Sequence, residues 1–178
     1  MIAGAHAILW LREDGKGNDA CRFADAEGGY LIDGSSTDAD GTVLRYRIRA
    51  RADGTTRRVR IGRKSRIELR HKKDGTWTLN DAPVPDVKGA TDVFLDFTPA
   101  SFTLPIRRLV LDTGAQSEII AARLDVATEQ LTPLHLVFRR ISDEAYEVET
   151  AETGTTTRIT VDNHGIVQAQ PGHWVAQA

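Results

Sequence analysis

Val43-Leu44-Arg45-Tyr46-Arg47-Ile48-Arg49-Ala50-Arg51 alternates without a break, with Leu44, Tyr46, Ile48 and Ala50 on one side and four arginines on the other. A period of two belongs to an extended strand with one face buried and one face wet. The pattern continues downstream: Arg58 and Arg60 oppose Val59 and Ile61, and Arg66 and Arg70 oppose Ile67 and Leu69. Three successive strands, at 43-51, 56-61 and 65-71, are therefore expected to hang arginines on one sheet face.

Working outward, Asp-Gly pairs recur at Asp14-Gly15, Asp33-Gly34, Asp40-Gly41, Asp53-Gly54 and Asp74-Gly75. Each reads as a tight turn, since Gly tolerates positive φ and Asp bonds the local backbone. Further strands are expected at 6-13, 20-25, 76-79, 91-97, 106-112, 117-125, 134-140, 145-150, 156-161 and 165-169, with Ala82 to Asp86 as a loop. Thr98-Pro99 could cap a helix, but Pro105 would interrupt it within two turns. Ser117 to Glu129 reads as strand, although Ile119, Ile120, Leu124 and Val126 fit neither period cleanly. The whole chain, 1-178, then forms one mostly β, antiparallel domain, either a barrel or a strongly curled sheet.

A chain of 178 residues with 40% apolar and 27% charged content is ordinary globular material, able to bury roughly 70% of its unfolded surface. Cys21 stands alone, so no internal disulfide framework exists. The N-terminal apolar run has no preceding Lys or Arg and soon reaches Arg12-Glu13-Asp14, unlike a signal peptide, and no run approaches the ~20 residues of a membrane span. A cytoplasmic protein is expected.

The net charge of −2 conceals an asymmetry: Arg45 to Lys73 holds 13 Lys or Arg and two acids, leaving 10 bases and 23 acids elsewhere. Ten of the 13 are Arg, whose planar fork suits carboxylate, sulfate or phosphate. Arg45, Arg47 and Arg49 are candidates for an anionic ligand; alternatively they form a solvated face opposite Asp143, Glu144, Glu147, Glu149 and Glu152. Nucleic acid is set aside, because stacking sites interleave aromatics with bases on one face and Tyr46 points the other way.

Leu44, Ile48, Val93, Leu95, Phe97, Leu109, Leu111, Leu136 and Phe138 would line either an apolar concavity or a filled core. Strand alternation after Pro105 puts Arg108 with Ile106 and Arg107 with Leu109 and Leu111. A guanidinium among apolar neighbours needs Asp92, Asp96 or a ligand anion. Trp10 and Trp77 could stack on sugar or pack in the core with the indole N–H bonded.

The stretch Asp92-Val93-Phe94-Leu95-Asp96-Phe97-Thr98-Pro99-Ala100-Ser101-Phe102-Thr103-Leu104-Pro105-Ile106-Arg107-Arg108-Leu109, with Ile8-Leu9-Trp10, Asp74-Gly75-Thr76-Trp77, Val161-Asp162-Asn163-His164-Gly165-Ile166-Val167 and Pro171-Gly172, resembles the putative glycolipid-binding family of small bacterial proteins. The resemblance implies a spiral β-roll, a long antiparallel sheet wrapped around one short helix, similar overall to bacterial lipoprotein-localisation carriers. It also implies homodimers and a glycolipid or other anionic amphiphile as partner, with no cofactor. The chain departs from the family at Phe94, where members carry a second Asp, at Ser101-Phe102-Thr103, where they read Thr-Asn-Thr, and near Gly54-Thr55, where they carry a Trp.

A second resemblance competes. Leu109-Val110-Leu111-Asp112-Thr113-Gly114-Ala115 looks like the active-site loop of retroviral-type aspartic proteases, with Asp112 as the would-be catalytic residue of a dyad sharing one proton. The later element of two apolar residues and Gly is absent: Gly154, Gly165 and Gly172 follow Thr153, His164 and Pro171. His6, His71, His135, His164 and His173 lack metal-ligand spacing, and no nucleophile elbow, P-loop or dinucleotide fingerprint occurs. No catalytic site or metal is expected, and the leading expectation is a binding protein, with a fully packed scaffold or protein-interaction module as the alternative.

Overall fold

Strand pairing in the computed structural model, which describes residues 4–62 and 66–177, follows the hairpin order of the sequence. β1 (Ala5–Arg12), β2 (Asn18–Ala26), β3 (Gly29–Thr37), β4 (Val43–Arg51), β5 (Thr56–Ile61), β6 (Ile67–His71), β7 (Trp77–Leu79) and the short β8 (Ala82–Pro83) form one antiparallel run. After a 3-10 turn at Pro85–Val87 come β9 (Asp92–Leu95) and the single helix α1 (Ala100–Leu109). A second run follows: β10 (Gln116–Asp125), β11 (Gln130–Ser142), β12 (Ala145–Thr150), β13 (Thr155–Val161), β14 (Val167–Gln170) and β15 (Trp174–Gln177).

Pairing of β1 with β15 sews the runs into one 15-stranded sheet, ordered β8 to β1 and then β15 back to β9. All neighbours are antiparallel except β9 and β10, which run parallel because α1 supplies the crossover between them. The two edge strands, β8 and β9, are consecutive in sequence. The sheet curls until the β9 edge returns to β5: Thr56 N–H donates to Thr91 O at 3.0 Å, and the Thr56 hydroxyl accepts Val93 N–H at 3.0 Å. This is the expected β-roll, unclosed and wrapped around one helix.

Several local expectations are corrected, the first being the loop at Ala82 to Asp86, where Ala82–Pro83 is the short β8 and the 3-10 turn begins at Pro85. The span 106-112 is not a strand: its first four residues finish α1, and Ala100 to Ile106 are buried inside the roll. Pro105 removes one backbone bond, to the Ser101 carbonyl, but burial of Phe102, Leu104 and Ile106 outweighs that loss. Thr98 Oγ1 accepts Ala100 N–H at 3.1 Å at the helix start, and the chain leaves through Val110 at φ 46°, an unfavourable conformation for a β-branched residue.

Asp33-Gly34 is not a turn but the middle of β3, a strand missed in the sequence. A Cβ at Gly34 would lie 2.4 Å from the Tyr46 ring of the paired strand, so glycine here provides a flat seat for the phenol. The other four Asp-Gly pairs do form turns with positive φ at glycine. β15 was also missed. The arginine-bearing strand expected at 65-71 runs from Ile67 to His71, and Ser65 lies outside the described residues.

Candidate functional site

The alternation of β4 carries through to its neighbours. Register aligns Arg22, Asp33, Arg47, Arg60 and Glu68 across β2 to β6, and beside them Arg49, Arg58 and Arg70 across β4 to β6. Like charges directly opposite repel, and two carboxylates offset that here. Asp33 holds Arg47 at 2.6 Å. Glu68 bonds Arg58 at 2.6 Å, Arg60 at 3.2 Å and Arg70, and these guanidiniums, Arg58 foremost, draw its carboxyl down to about 2. Among the described residues no carboxylate forms an ion pair with Arg45, Arg49 or Arg57.

The acids expected opposite this face are elsewhere. Glu147 and Glu149 lie on β12, paired with β11 and β13 beyond the β1–β15 seam. Asp143 pairs with Arg140 and Glu152 with His135. The solvated-face explanation in that form is therefore corrected.

At the ends of β4 to β6 the arginine face opens into a basic cleft of about 820 Å³. Arg57, Arg58, Arg70, Lys72 and Lys73 surround it, with Arg51 and His71 in its lining. A bulge creates part of it: register slips between Arg49 and Ala50 so that Arg57 is the extra residue of β5, and a bulge re-aims side chains in this way. Arg51 is tied to backbone, donating to Thr56 O at 2.6 Å and to His71 O. The His71 ring bonds Thr56 O at 2.9 Å and stacks on Trp77 at 4.6 Å; burial lowers its pKa.

A second depression, an apolar groove of about 510 Å³, lies between the end of α1 and β10–β11. Leu109, Ile119, Ile120, Leu136 and Val137 line it, and Arg108, His135, Glu118, Ser117 and Thr91 supply polar groups. It exists because β9 is short: pairing with β10 begins at Asp92 and Ala121, and Thr91 N–H takes Ile120 O at 3.1 Å. Among the described residues no strand lies beside that edge of β10 before Ile120. The cleft and the groove flank one turn. Asp53 lines the cleft, and a Cβ at Gly54 would lie 3.0 Å from the Cβ of Arg108, which lines the groove.

The paired arginines separate because they are helical, not strand-borne as expected. Arg108 binds Asp92 at 2.6 Å, whereas strand alternation assigns the need for that carboxylate to the other arginine, Arg107, beside Leu109 and Leu111. Asp92 also accepts the Thr91 hydroxyl at 2.9 Å, and Asp96 bonds Arg123 instead. Arg107 donates to His164 O at 2.6 Å and lies over the Tyr30 ring at 5.4 Å. Trp10 and Trp77 are buried, their indole N–H groups bonded to Val167 O at 2.8 Å and Ala90 O at 2.9 Å. Neither indole is offered to solvent.

One polar cluster has no counterpart in the sequence reading. Buried Asp19 accepts the Tyr46 hydroxyl at 2.8 Å and the Thr98 hydroxyl at 2.5 Å through one oxygen, while its other oxygen has no partner. Burial raises its pKa. The Asp lies one residue before the expected strand 20-25, and nothing local distinguishes it from a turn residue. Asp112 lies in an exposed turn, its backbone O accepting Ala115 N–H at 2.9 Å. It follows a helix, not the strand that a protease loop requires. Among the described residues no cluster of His, Cys, Asp and Glu could hold a metal.

The geometry defines a class: an unclosed β-roll with a filled centre, a cationic outer face and an apolar groove at its seam. The model of the putative glycolipid-binding family matches residues 7–176, and the chain belongs to that family. Its fold is similar to the crystal structure of a DUF1089 family protein from Pseudomonas aeruginosa, at 24% identity and TM-score 0.68 over 97% of this chain and 91% of that one. No curated protein matches the chain.

Proposed function

We propose that this chain is a non-catalytic binding protein for an anionic amphiphile of the glycolipid kind. The observation that carries the reading is the placement of an apolar groove and a basic cleft on either side of the Asp53–Gly54 turn. Such an arrangement suits a ligand with a charged head and an apolar body, because apolar area drives binding while a few polar groups fix orientation. Arg45, Arg47 and Arg49 extend the cationic face on which the head group rests, and Arg108 stands at the groove with Asp92 fixing its direction. Trp77 supports the cleft from behind by stacking on His71, while Trp10 and Arg107 line neither the cleft nor the groove. The family name agrees with this reading, and α1 fills the interior, so the ligand is held on the outside of the roll. The lone buried thiol of Cys21 accords with a cytoplasmic setting.

Native mass spectrometry of protein purified from its own host tests this. A reproducible adduct of lipid mass is expected; adduct-free spectra together with no binding to anionic vesicles would remove the reading. No helix among the described residues is long and apolar enough to cross a membrane.

The open edge of β10 favours a second reading, in which the roll is a packed interaction module that pairs with another copy of itself through strand addition. Sedimentation equilibrium decides between monomer and homodimer. A single 19.6 kDa species at micromolar concentration would contradict dimerisation.

A further inference from the structure

The cleft at the ends of β4–β5 and β6–β7 is more specific than a generally cationic surface. Its lining holds Arg51, Arg57, Arg58, Arg70, Lys72 and Lys73 against the single carboxylate of Asp53. That carboxylate is already engaged: it accepts the N–H and the hydroxyl of Thr55 at 2.9 and 2.7 Å, which lower its pKa. The nearby Asp74 likewise accepts Thr76 N–H at 2.9 Å within its own turn. Neither acid reaches across to a cation of the cleft among the described residues.

Donor capacity remains after the internal bonds are counted. Arg58 meets Glu68 through one terminal nitrogen and keeps the other, whereas Arg70 commits Nε to Glu68 and Nη1 to Asp81 and keeps only Nη2. Arg57, pushed out of the ladder by the bulge, forms no ion pair among the described residues, and neither do Lys72 and Lys73 on the β6–β7 turn. Two rigid hairpin ends thus present forked and point-charge donors to one space of about 820 Å³. Such a volume is within the range for a small organic ligand. Aromatic surface is scarce, so recognition falls on charge.

We infer that this cleft is a site for a multiply charged oxyanion ester, a phosphate monoester on a compact polar body, held by Arg57, Arg58, Arg70, Lys72 and Lys73. Guanidinium forks bind two oxygens of such a group at once, and lysines neutralise the remaining charge. The inference rests on reading the arginine face as a binding surface and names the chemistry that face selects.

The test uses the full chain and two soluble probes, inorganic pyrophosphate and glucose 6-phosphate, followed by isothermal titration calorimetry at low salt. Saturable binding is expected, at least tenfold weaker in the double variant Arg57→Gln/Lys73→Gln, whose side chains are exposed and outside the core. The charge-matched control Lys16→Gln/Lys88→Gln, remote from the cleft lining, should bind within twofold of wild type. Absence of saturable binding, or equal weakening in both variants, overturns the inference. Cosedimentation with phosphatidylcholine vesicles containing phosphatidic acid separates the sources. Loss of vesicle binding only in the cleft variant assigns the oxyanion to a lipid head group. Pyrophosphate binding without vesicle binding keeps the cleft and defeats the amphiphile reading, whereas vesicle binding untouched by the cleft variant, with no pyrophosphate binding, does the reverse.

Discussion

The two halves of the sheet bury their inner faces alike and treat their outer faces in opposite ways. In β4 to β6 most outer positions are arginines, stacked opposite one another and steadied by Asp33, Glu68 and, at Arg70, Asp81. In β10 to β13 acids and bases mix: Arg123 meets Asp96, Arg140 meets Asp143, His135 meets Glu152, and Arg139 bonds Gln116. The second arrangement is an ordinary neutralised surface, whose exposed pairs contribute little. The first leaves positive charge unanswered, which a stable fold tolerates but does not need. A fold built only for stability has no need of the first pattern, and the contrast is the reason for placing the proposed binding surface on the arginine side.

The sharpest way to break the comparison is at the hinge between the halves, where Arg108 of α1 meets buried Asp92 of β9. Asp92 side-chain exposure is 1%. Arg108→Ala strands that carboxylate without its cation, and breaking a buried pair costs about 3–5 kcal/mol, readable as a shift in the urea midpoint. A loss under about 1 kcal/mol would mean that water replaces the guanidinium and that the two halves are not locked there.

Next in size is Gly34→Ala. The added Cβ would lie 2.4 Å from the Tyr46 ring and must displace the phenol from Asp19 and Thr98. Overpacking of this kind costs typically 1–3 kcal/mol. Loss of the Tyr46 hydroxyl alone, in Tyr46→Phe, should cost less, since Thr98 still donates to Asp19. Chemical denaturation of the two variants ranks them, and the reverse order would show that Gly34 has room to adjust.

That glycine also marks the boundary of what the sequence discloses. Where one face is apolar and the other charged, as in Val43–Arg51 and Thr56–Ile61, periodicity gives the strand bounds residue for residue. β3 escaped because Asp33-Gly34 has the chemistry of a turn, while its real role, a seat for Tyr46, depends on a partner strand. α1 escaped because Pro105 is a local argument against helix, and the burial that overrides it comes from strands distant in sequence. The site follows the same division. The arginine face was legible from alternation, but the partner of Asp92 was not, because strand alternation pointed to Arg107 and the helix presents Arg108. Its cleft was not, because a bulge re-aims Arg57 and the hairpin ends meet only after folding.

Acid should separate the halves further. The guanidiniums of Arg58, Arg70 and Arg60 hold the Glu68 carboxyl down to about 2, well below the ordinary carboxylate range. A carboxyl depressed on folding contributes stability above its unfolded pKa and loses it as pH falls through the folded one. Wild type should therefore lose this contribution between about pH 4.5 and 2, whereas Glu68→Gln lacks it throughout. Melting temperatures followed from pH 6 downward should show the variant below wild type at pH 6 and the gap closing towards pH 2. A gap independent of pH would mean that Glu68 acts through packing and not through charge. Asp19 has the opposite sign: burial raises its pKa, so its contribution is fullest at low pH and declines as pH rises through the folded value.

The smallest stability effect should come from the arginines that first revealed the fold. Arg45, Arg47 and Arg49 are exposed, and only Arg47 among them has a carboxylate partner, Asp33 at 2.6 Å. Changing all three to Gln removes one surface ion pair, worth about 0–1 kcal/mol, and relieves repulsion between Arg49 and Arg58 and between Arg47 and Arg60, which face each other across β4 and β5. The two effects oppose, so the triple variant should unfold within about 1 kcal/mol of wild type. Ligand retention should respond quite differently, weakening in the variant and, in wild type, falling as salt screens the face. Stability and binding thus come apart on this face, as they should where charge serves a partner. A variant that retains ligand fully and without salt dependence would make the arginine face a solvated surface like the other half.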